Sequence, residues 1–223
     1  DLFGSLQALP GVNTLSDFSS GLYIRGGSPD QNLILLDGLD VYNPNHLFGF
    51  FSTFNVDAVK TVELQKSGYP ARYGGRLSSL LDVHNRDGNR KEVEGTARIG
   101  LIASSLTLEG PWSRGSWMVS GRQTYIEQLA RSARYRVPYG FHDLHGRLNL
   151  DLAGDDRFSL SYYQGRDRLD WDRPALDLLV DWGNSTWSGR WTHVFSPRWY
   201  ARFLVGHTSF DSRAEFSFRD LKF

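Results

Sequence analysis

Three groups of residues have the types and spacing to do chemistry. The first is Asn43, Asn45, His46, Phe50 and Phe51, with Phe48 among them. Amides beside aromatic faces suit sugars, peptides and planar chelates alike. The plainer reading is that most of these phenylalanines pack. The second group is the run 166–182. There Asp167, Asp170, Asp172, Asp177 and Asp181 are interleaved with Arg166, Arg168, Arg173, Trp171 and Trp182. Five carboxylates could bind calcium or capture a substrate, although a solvated loop is the commoner use of such a run. The third is His142, Asp143 and His145. On a strand their odd spacing sends the two imidazoles to opposite faces, so they cannot chelate together.

Other chemistries lack their residues. The chain has no cysteine, which removes thiolate metal sites, disulfides and cysteine nucleophiles. No Gly-x-Ser-x-Gly elbow occurs, and no Gly-x-Gly-x-x-Gly opens a helix. No carboxylate pair sits in an expected cleft with a matched partner. The expectation is no enzyme, no cofactor and no metal site. Basic and acidic side chains balance at 25 each, whereas a nucleic-acid binder needs a basic excess. Lys occurs only at 60, 66, 91 and 222, so 25 − 4 = 21 of the basic residues are Arg. That bias favours planar, fixed ion pairs.

These residues need elements to position them. No run approaches the roughly 18 apolar residues of a spanning helix. Mean hydropathy is −0.41, yet 14% of residues are aromatic. That pairing fits a carbohydrate-handling sandwich or a transmembrane β-barrel, which hides its apolar signal by alternation. The chain opens without a charged n-region or apolar h-region, so no signal peptide is read in it.

Two grammars divide the chain. Residues 1–90 read as a small mixed α+β domain. Leu2, Phe3, Leu6 and Leu9 have helical spacing that Pro10-Gly11 ends. Short apolar strands follow at 22–24, 33–36 and 59–64. From 91 to 223 the period is two. Leu144, Leu148 and Leu150 share one parity, and Asp143, His145, Arg147 and Asn149 share the other. Trp187 and Trp191 oppose Ser188, Arg190 and Thr192 in the same way. An apolar face backed by Arg, Asp and Asn is what a barrel with a lipid exterior and a wet interior requires. Ile102, Met118 and Leu204 break the pattern. The alternation predicts about eight strands, near 95–103, 105–111, 116–124, 142–153, 157–166, 182–195, 198–211 and 214–221. Long connections are expected at 125–141 and 167–181, the first with a short helix through Ile126, Leu129, Ala130 and Ala133.

The first half also carries motifs. Leu6 to Val12 resembles the helix-to-turn segment of the plug domain of TonB-dependent outer-membrane receptors. Leu22-Tyr23-Ile24-Arg25-Gly26-Gly27 is similar to the plug's Ile-Arg-Gly strand. Leu33 to Tyr42 resembles its next strand and turn, and Val56 to Leu64 with Tyr73 to Arg76 and Leu80 to Val83 its closing motif. Four such motifs stand in order over about 80 residues. Gln65 to Arg72 departs from the usual turn and resembles the Bacteroidetes type with a carboxypeptidase-regulatory-like front domain, so the resemblance assigns no siderophore.

The resemblance implies a mostly β fold, with a plug at 1–90 and the first part of a transmembrane barrel at 91–223. The family's barrel has 22 strands, which need roughly 220 residues. Only 223 − 93 = 130 follow the plug, so the chain is expected to be a segment of a longer receptor, starting inside the plug with no TonB box before Asp1. Implied partners are the TonB–ExbB–ExbD complex, outer-membrane lipids and, in some receptors, a surface lipoprotein, with no nucleic acid. Asn43, Asn45, His46, Phe50 and Phe51 would lie at the plug apex and touch ligand. Arg25, Glu63, Arg72 and Arg76 would lock the plug to wall carboxylates. Two alternatives stand beside this reading. One is a soluble all-β carbohydrate-binding module, and the other is a plug-bearing signal receptor that does not transport.

Overall fold

The computed structural model describes residues 2–14, 21–46, 49–128, 138–152, 154–173 and 176–218. The N-terminal domain begins with helix α1 (Leu2–Gln7), whose Phe3 is buried. Gly11 follows with φ 77°, a conformation that glycine reaches without a Cβ clash. Short strands β1 (Val12–Asn13) and β2 (Tyr23–Ile24) pair antiparallel. A mixed sheet then forms from β3 (Leu33–Leu36), β4 (Leu39–Asp40), β7 (Val59–Gln65) and β8 (Leu80–Asn85), in the order β4-β3-β8-β7. β3 and β8 run parallel, and both are buried, which is why Leu33 to Leu36 reads as an unbroken apolar run. Between them a small hairpin, β5 (Asn45–His46) with β6 (Phe51–Ser52), stands off the sheet. The core joins Phe3, Ile24, Ile34, Leu36, Phe54, Leu81 and Val83.

The second unit is one curved wall of seven antiparallel strands in chain order. They are β9 (Glu94–Ile99), β10 (Ala103–Trp112), β11 (Gly115–Thr124), β12 (Tyr139–Asp151), β13 (Asp156–Arg173), β14 (Leu176–Ser196) and β15 (Trp199–Phe218). No second sheet covers it among the described residues; the N-terminal domain does, and a sandwich is thereby replaced by a wall with a domain on its polar face. Tyr163, His145 and Met118 are 0% exposed on that inner face. Outward-facing Leu144, Leu160, Trp187, Phe203 and Val205 are exposed. The five inner strands, β10 to β14, are paired on both sides, as lipid requires of a spanning strand. No described helix is long and apolar enough to cross a membrane, which says nothing of strands.

Two expectations are corrected. Trp199–Phe218 is one strand where the sequence was read as two, so the described residues form seven wall strands and not eight. It pairs with β14 from Ser196↔Trp199 to Leu176↔Phe218, and Ser212-Arg213 continues the ladder instead of turning. The region 167–181 is likewise not an open loop: Asp167 pairs with Trp182 and the ladder runs on to Arg173↔Leu176. Strands of 18 to 21 residues exceed the 9–11 that cross a bilayer. Their overhang lies at the same end as the long connection 125–138, the end that faces outward in such barrels. Phe48, the helix positions Leu129, Ala130 and Ala133, and the last expected strand beyond 218 lie outside the described residues.

Two of the three apolar breaks in the polar parity now have a cause. Met118 is fully buried, and Leu204 reaches the turn at Gly38. They face the N-terminal domain, not the lumen water.

Candidate functional site

The chemistry-bearing side chains gather along the seam between the domain and the wall. At its centre is His46. The β5–β6 hairpin carries the imidazole into the wall, where it is 1% exposed. Its Nε2 lies 2.6 Å from Asp143 Oδ1 on β12, and its Nδ1 lies 2.8 Å from Asp167 Oδ2 on β13. Its ring stacks on Phe141 at 4.2 Å. Arg122 Nε donates to Asp143 Oδ2 at 2.6 Å, and its Nη2 donates to the Ser52 carbonyl at 2.7 Å. The Tyr139 hydroxyl donates to Asp167, and Thr53 hydrogen-bonds Tyr163. Two carboxylates face two cations, so the cluster is neutral only with His46 charged. Burial opposes that charge, but Asp143 and Asp167 outweigh it and raise the pKa of His46 to about 9.

A second set lies lower on the wall. Asp37 sits at the β3–β4 turn with φ 52°. Its carboxylate lies 2.9 Å from Arg147 Nη1 and accepts from Asn85 Nδ2 at 2.8 Å. Burial alone would raise its pKa; His84, Arg147, Ser161 and Asn85 together hold it well below the usual carboxylate range. The carboxylates of Asp37 and Asp82, which accept from its imidazole, raise the pKa of His84 to about 9. Arg98 Nε contacts both oxygens of Asp57, at 2.9 and 2.6 Å. Arg86 Nη2 meets Glu109 at 2.7 Å.

Residues 37–43 then climb the wall between these sets. Arg190 Nη2 donates to the Asp37 carbonyl at 3.0 Å, and Thr208 Oγ1 donates to the Asp40 carbonyl at 2.7 Å. The Asn184 amide takes the Tyr42 N–H at 3.2 Å and donates to the Asn43 carbonyl at 2.7 Å. Glycine makes room for such contacts. A Cβ at Gly206 would come within 2.6 Å of Leu39 Cδ1, and one at Gly165 within 2.7 Å of Thr53 Oγ1.

The expected site residues divide. Asn43 and Asn45 line a cavity of about 550 Å³ at the outward end, with Tyr23, Trp182 and Phe210. His46 points into the wall, and Phe51 lies 6.4 Å from Phe141. Phe50 is 47% exposed. Arg25 donates to Ser67 at 2.7 Å, Arg72 lies over the Tyr73 ring at 4.8 Å, and Arg76 donates to the Asp30 carbonyl at 2.9 Å. These contacts stay within the N-terminal domain, and Glu63 is exposed on β7. The seam therefore runs in both polarities, with His46 and Arg86 of the domain on wall carboxylates and Arg98 and Arg147 of the wall on domain carboxylates. Most of its arginines, Arg98, Arg122, Arg147 and Arg190, stand on the wall, and the domain offers Asp37 and Asp57. The missed signal was the inward parity itself, which already placed Asp143, Arg147 and Arg190 on a face that needed partners. Of the carboxylates in 166–182, Asp167 is in the seam, Asp170 pairs with Arg168 at 3.2 Å, and Asp181 pairs with Arg166 at 3.2 Å.

Residues 1–79 match the family model described as the TonB-dependent Receptor Plug Domain. No curated protein sequence matches the chain. Among solved structures, 96% of the chain superposes on the siderophore receptor PirA from Pseudomonas aeruginosa, with TM-score 0.68 and 18% identity. The alcaligin outer-membrane receptor FauA from Bordetella pertussis gives TM-score 0.68 at 17% identity over the same share. A mutant ferric enterobactin receptor, PfeA, from Pseudomonas aeruginosa gives 0.56 at 16% over the same share. The chain spans only 38%, 37% and 43% of those three proteins.

Proposed function

We propose that this chain, which belongs to the TonB-dependent outer-membrane receptors of bacteria, serves energy-coupled uptake of a solute across the outer membrane. Residues 1–90 act as the plug, and 91–223 as the first part of the barrel that encloses it. The observation that carries the reading is the charged seam. A plug is seated on the polar face of an incomplete wall by His46, Asp37 and Asp57, through contacts that a shift in the plug would break or remake. A plug that only sealed the lumen would need no such set of separable polar contacts.

Solute enters at the outward cavity. Asn43 and Asn45 supply amides there, and Trp182 and Phe210 supply ring faces, a lining that suits a solute with a planar or ring face. Work comes from the inner membrane through TonB–ExbB–ExbD, engaging a segment outside this chain. Outer-membrane lipids contact the outward aromatic and aliphatic face. A surface lipoprotein would cover the overhanging hairpin β13–β14. The activity is transport, not catalysis. The solved neighbours are named for siderophores; their identity to this chain supports the fold, and the choice of solute rests on the cavity.

The test is solute accumulation by cells carrying the full-length receptor, with and without a protonophore. Surface binding that survives while accumulation stops is the expected result. Accumulation at an unchanged rate would overturn the coupling and leave a passive pore. Signalling without any accumulation would favour the non-transporting receptor.

A further inference from the structure

The inner wall carries a second polar cavity, of about 580 Å³, at the opposite end from the outward one. It is open to solvent and lined by Arg147, Arg190 and Arg202 from β12, β14 and β15, with Ser159 of β13 and Asn149 of β12. Asn43 and Asn45 do not reach it, and its position at the ends of β12–β15 near the short turns puts it on the side facing the periplasm.

The charges around it are not matched. Three of the four acidic residues of the lining are already engaged, and the fourth, Asp155, is exposed. Asp151 is paired with Arg90 and Arg157, Asp156 with His193 and the Trp191 indole, and Asp87 with Lys60 and Arg147. Arg190 makes one hydrogen bond, to a backbone carbonyl, and meets no carboxylate among the described residues. Arg202 is exposed and meets none either. The register sets them side by side. Arg190 pairs with Leu204 and Thr192 with Arg202, so the two guanidinium groups are diagonal neighbours on one face. Like charges so placed destabilise a sheet unless something of opposite sign lies between them. The Nε atoms of Arg147 and Arg190 are also buried without a hydrogen-bond partner. Leaving such donors unmet costs free energy that a bound acceptor recovers.

We propose that this cavity binds an oxyanion, a phosphate or carboxylate group of a small solute, between Arg190 and Arg202 with Arg147 behind them. Guanidinium forks match the paired oxygens of both groups, and two forks at a diagonal hold one tetrahedral or planar anion more closely than two ammonium groups would. The hydroxyl of Ser159, on the strand between Arg147 and Arg190, supplies a neutral donor. The site opens at the foot of the plug seam, where Arg147 and Arg190 also hold Asp37 of the plug, so it would receive an anion that reaches the periplasmic side of the seam. It stands on the wall's own geometry and does not depend on which solute enters.

The experiment is calorimetric titration of the full-length receptor in detergent with inorganic phosphate at low ionic strength. The wild type should bind one phosphate saturably. Arg202→Gln, which removes an exposed side chain, and Arg190→Gln should each weaken binding at least tenfold. Arg114→Gln, which removes an equal charge at an exposed turn outside the cavity, should leave it within twofold. Absence of saturable binding in the wild type overturns the site. So does unchanged affinity in both cavity variants, or an equal loss in the Arg114 variant, which would reveal a general charge effect.

Discussion

The imidazole of His46, on the plug, and the carboxylate of Asp143, on the wall, meet at 2.6 Å with 1% and 0% of their side chains exposed. They are 97 residues apart in sequence. A contact so dry is held by charge and hydrogen bonding together, and its loss leaves two buried carboxylates, Asp143 and Asp167, facing Arg122 as the one remaining cation of the cluster. Breaking one side of a buried pair costs about 3–5 kcal/mol. His46→Ala should therefore loosen the plug hairpin far more than its small apolar loss implies. Hydrogen exchange of the full-length receptor reads this directly, as faster exchange at residues 45–53 with the wall strands unchanged. Equal protection in variant and wild type would show that the hairpin is seated by other contacts.

The same pair makes plug seating depend on pH. His46 has a folded pKa of about 9, above its ordinary value near 6.5. A raised folded pKa means that its stabilisation is complete below about 6.5 and is lost as pH climbs through about 9. The difference in hairpin protection between wild type and His46→Gln should thus be largest at pH 6 and shrink toward zero by pH 10. His84 is raised in the same sense by Asp37 and Asp82, but it is present in both proteins and cancels in the difference. A difference that grew with pH would reverse the assignment.

Gly165 tests the closeness of the seam without touching charge. A Cβ there would run into the Tyr163 hydroxyl and approach Thr53 Oγ1 at 2.7 Å and Asp143 Oδ1 at 3.0 Å. Gly165→Ala should cost about 1–3 kcal/mol through overpacking. The cost should appear in plug seating, while the β12–β13 ladder persists. Thermal unfolding followed separately by plug and wall probes distinguishes the two.

The wall arginine that faces a plug carboxylate gives a contrast between charge removals. Asp37→Asn removes the carboxylate that Arg147 and His84 face, and should destabilise by about 3–5 kcal/mol. Arg25→Ala and Arg72→Ala remove exposed plug arginines and should fall within about 0.5 kcal/mol of wild type. A double cycle of Asp37→Asn with Arg147→Gln should show coupling, since the two groups touch. Denaturant titration of the full-length receptor in detergent checks all five variants against wild type.

The wall was legible because lipid and water impose opposite rules on alternate residues. Leu144, Leu148 and Leu150 against Asp143, His145 and Arg147 could serve no other surface so well. The plug strand Leu33 to Leu36 was legible for a related reason, being buried on both faces. The seam was not, because its partners are far apart in sequence. Nothing local to His46 announces Asp167, which lies 121 residues away. Met118 and Leu204 looked like faults in the alternation until the plug was placed against them. The hairpin beyond 167 was read as a loop because its residues are polar. Once strands leave the bilayer, water accepts polar side chains on both faces, and the periodicity that marks a strand fades while its ladder continues.

The ascent of residues 37–43 along β14 and β15 has a mechanical consequence. Its holds at Asp37, Asp40 and Asn43 are spaced along the barrel axis and anchored to a wall that does not stretch. Traction along that axis loads all of them at once, in shear, so they must rupture together. A tilt of the plug away from the wall opens them one after another, as a peel, and each hydrogen bond then resists with only about 0.5–3 kcal/mol, the Arg190 bond being the strongest. The seam is thus anisotropic: the direction of a pull, as much as its strength, decides whether the plug lets go.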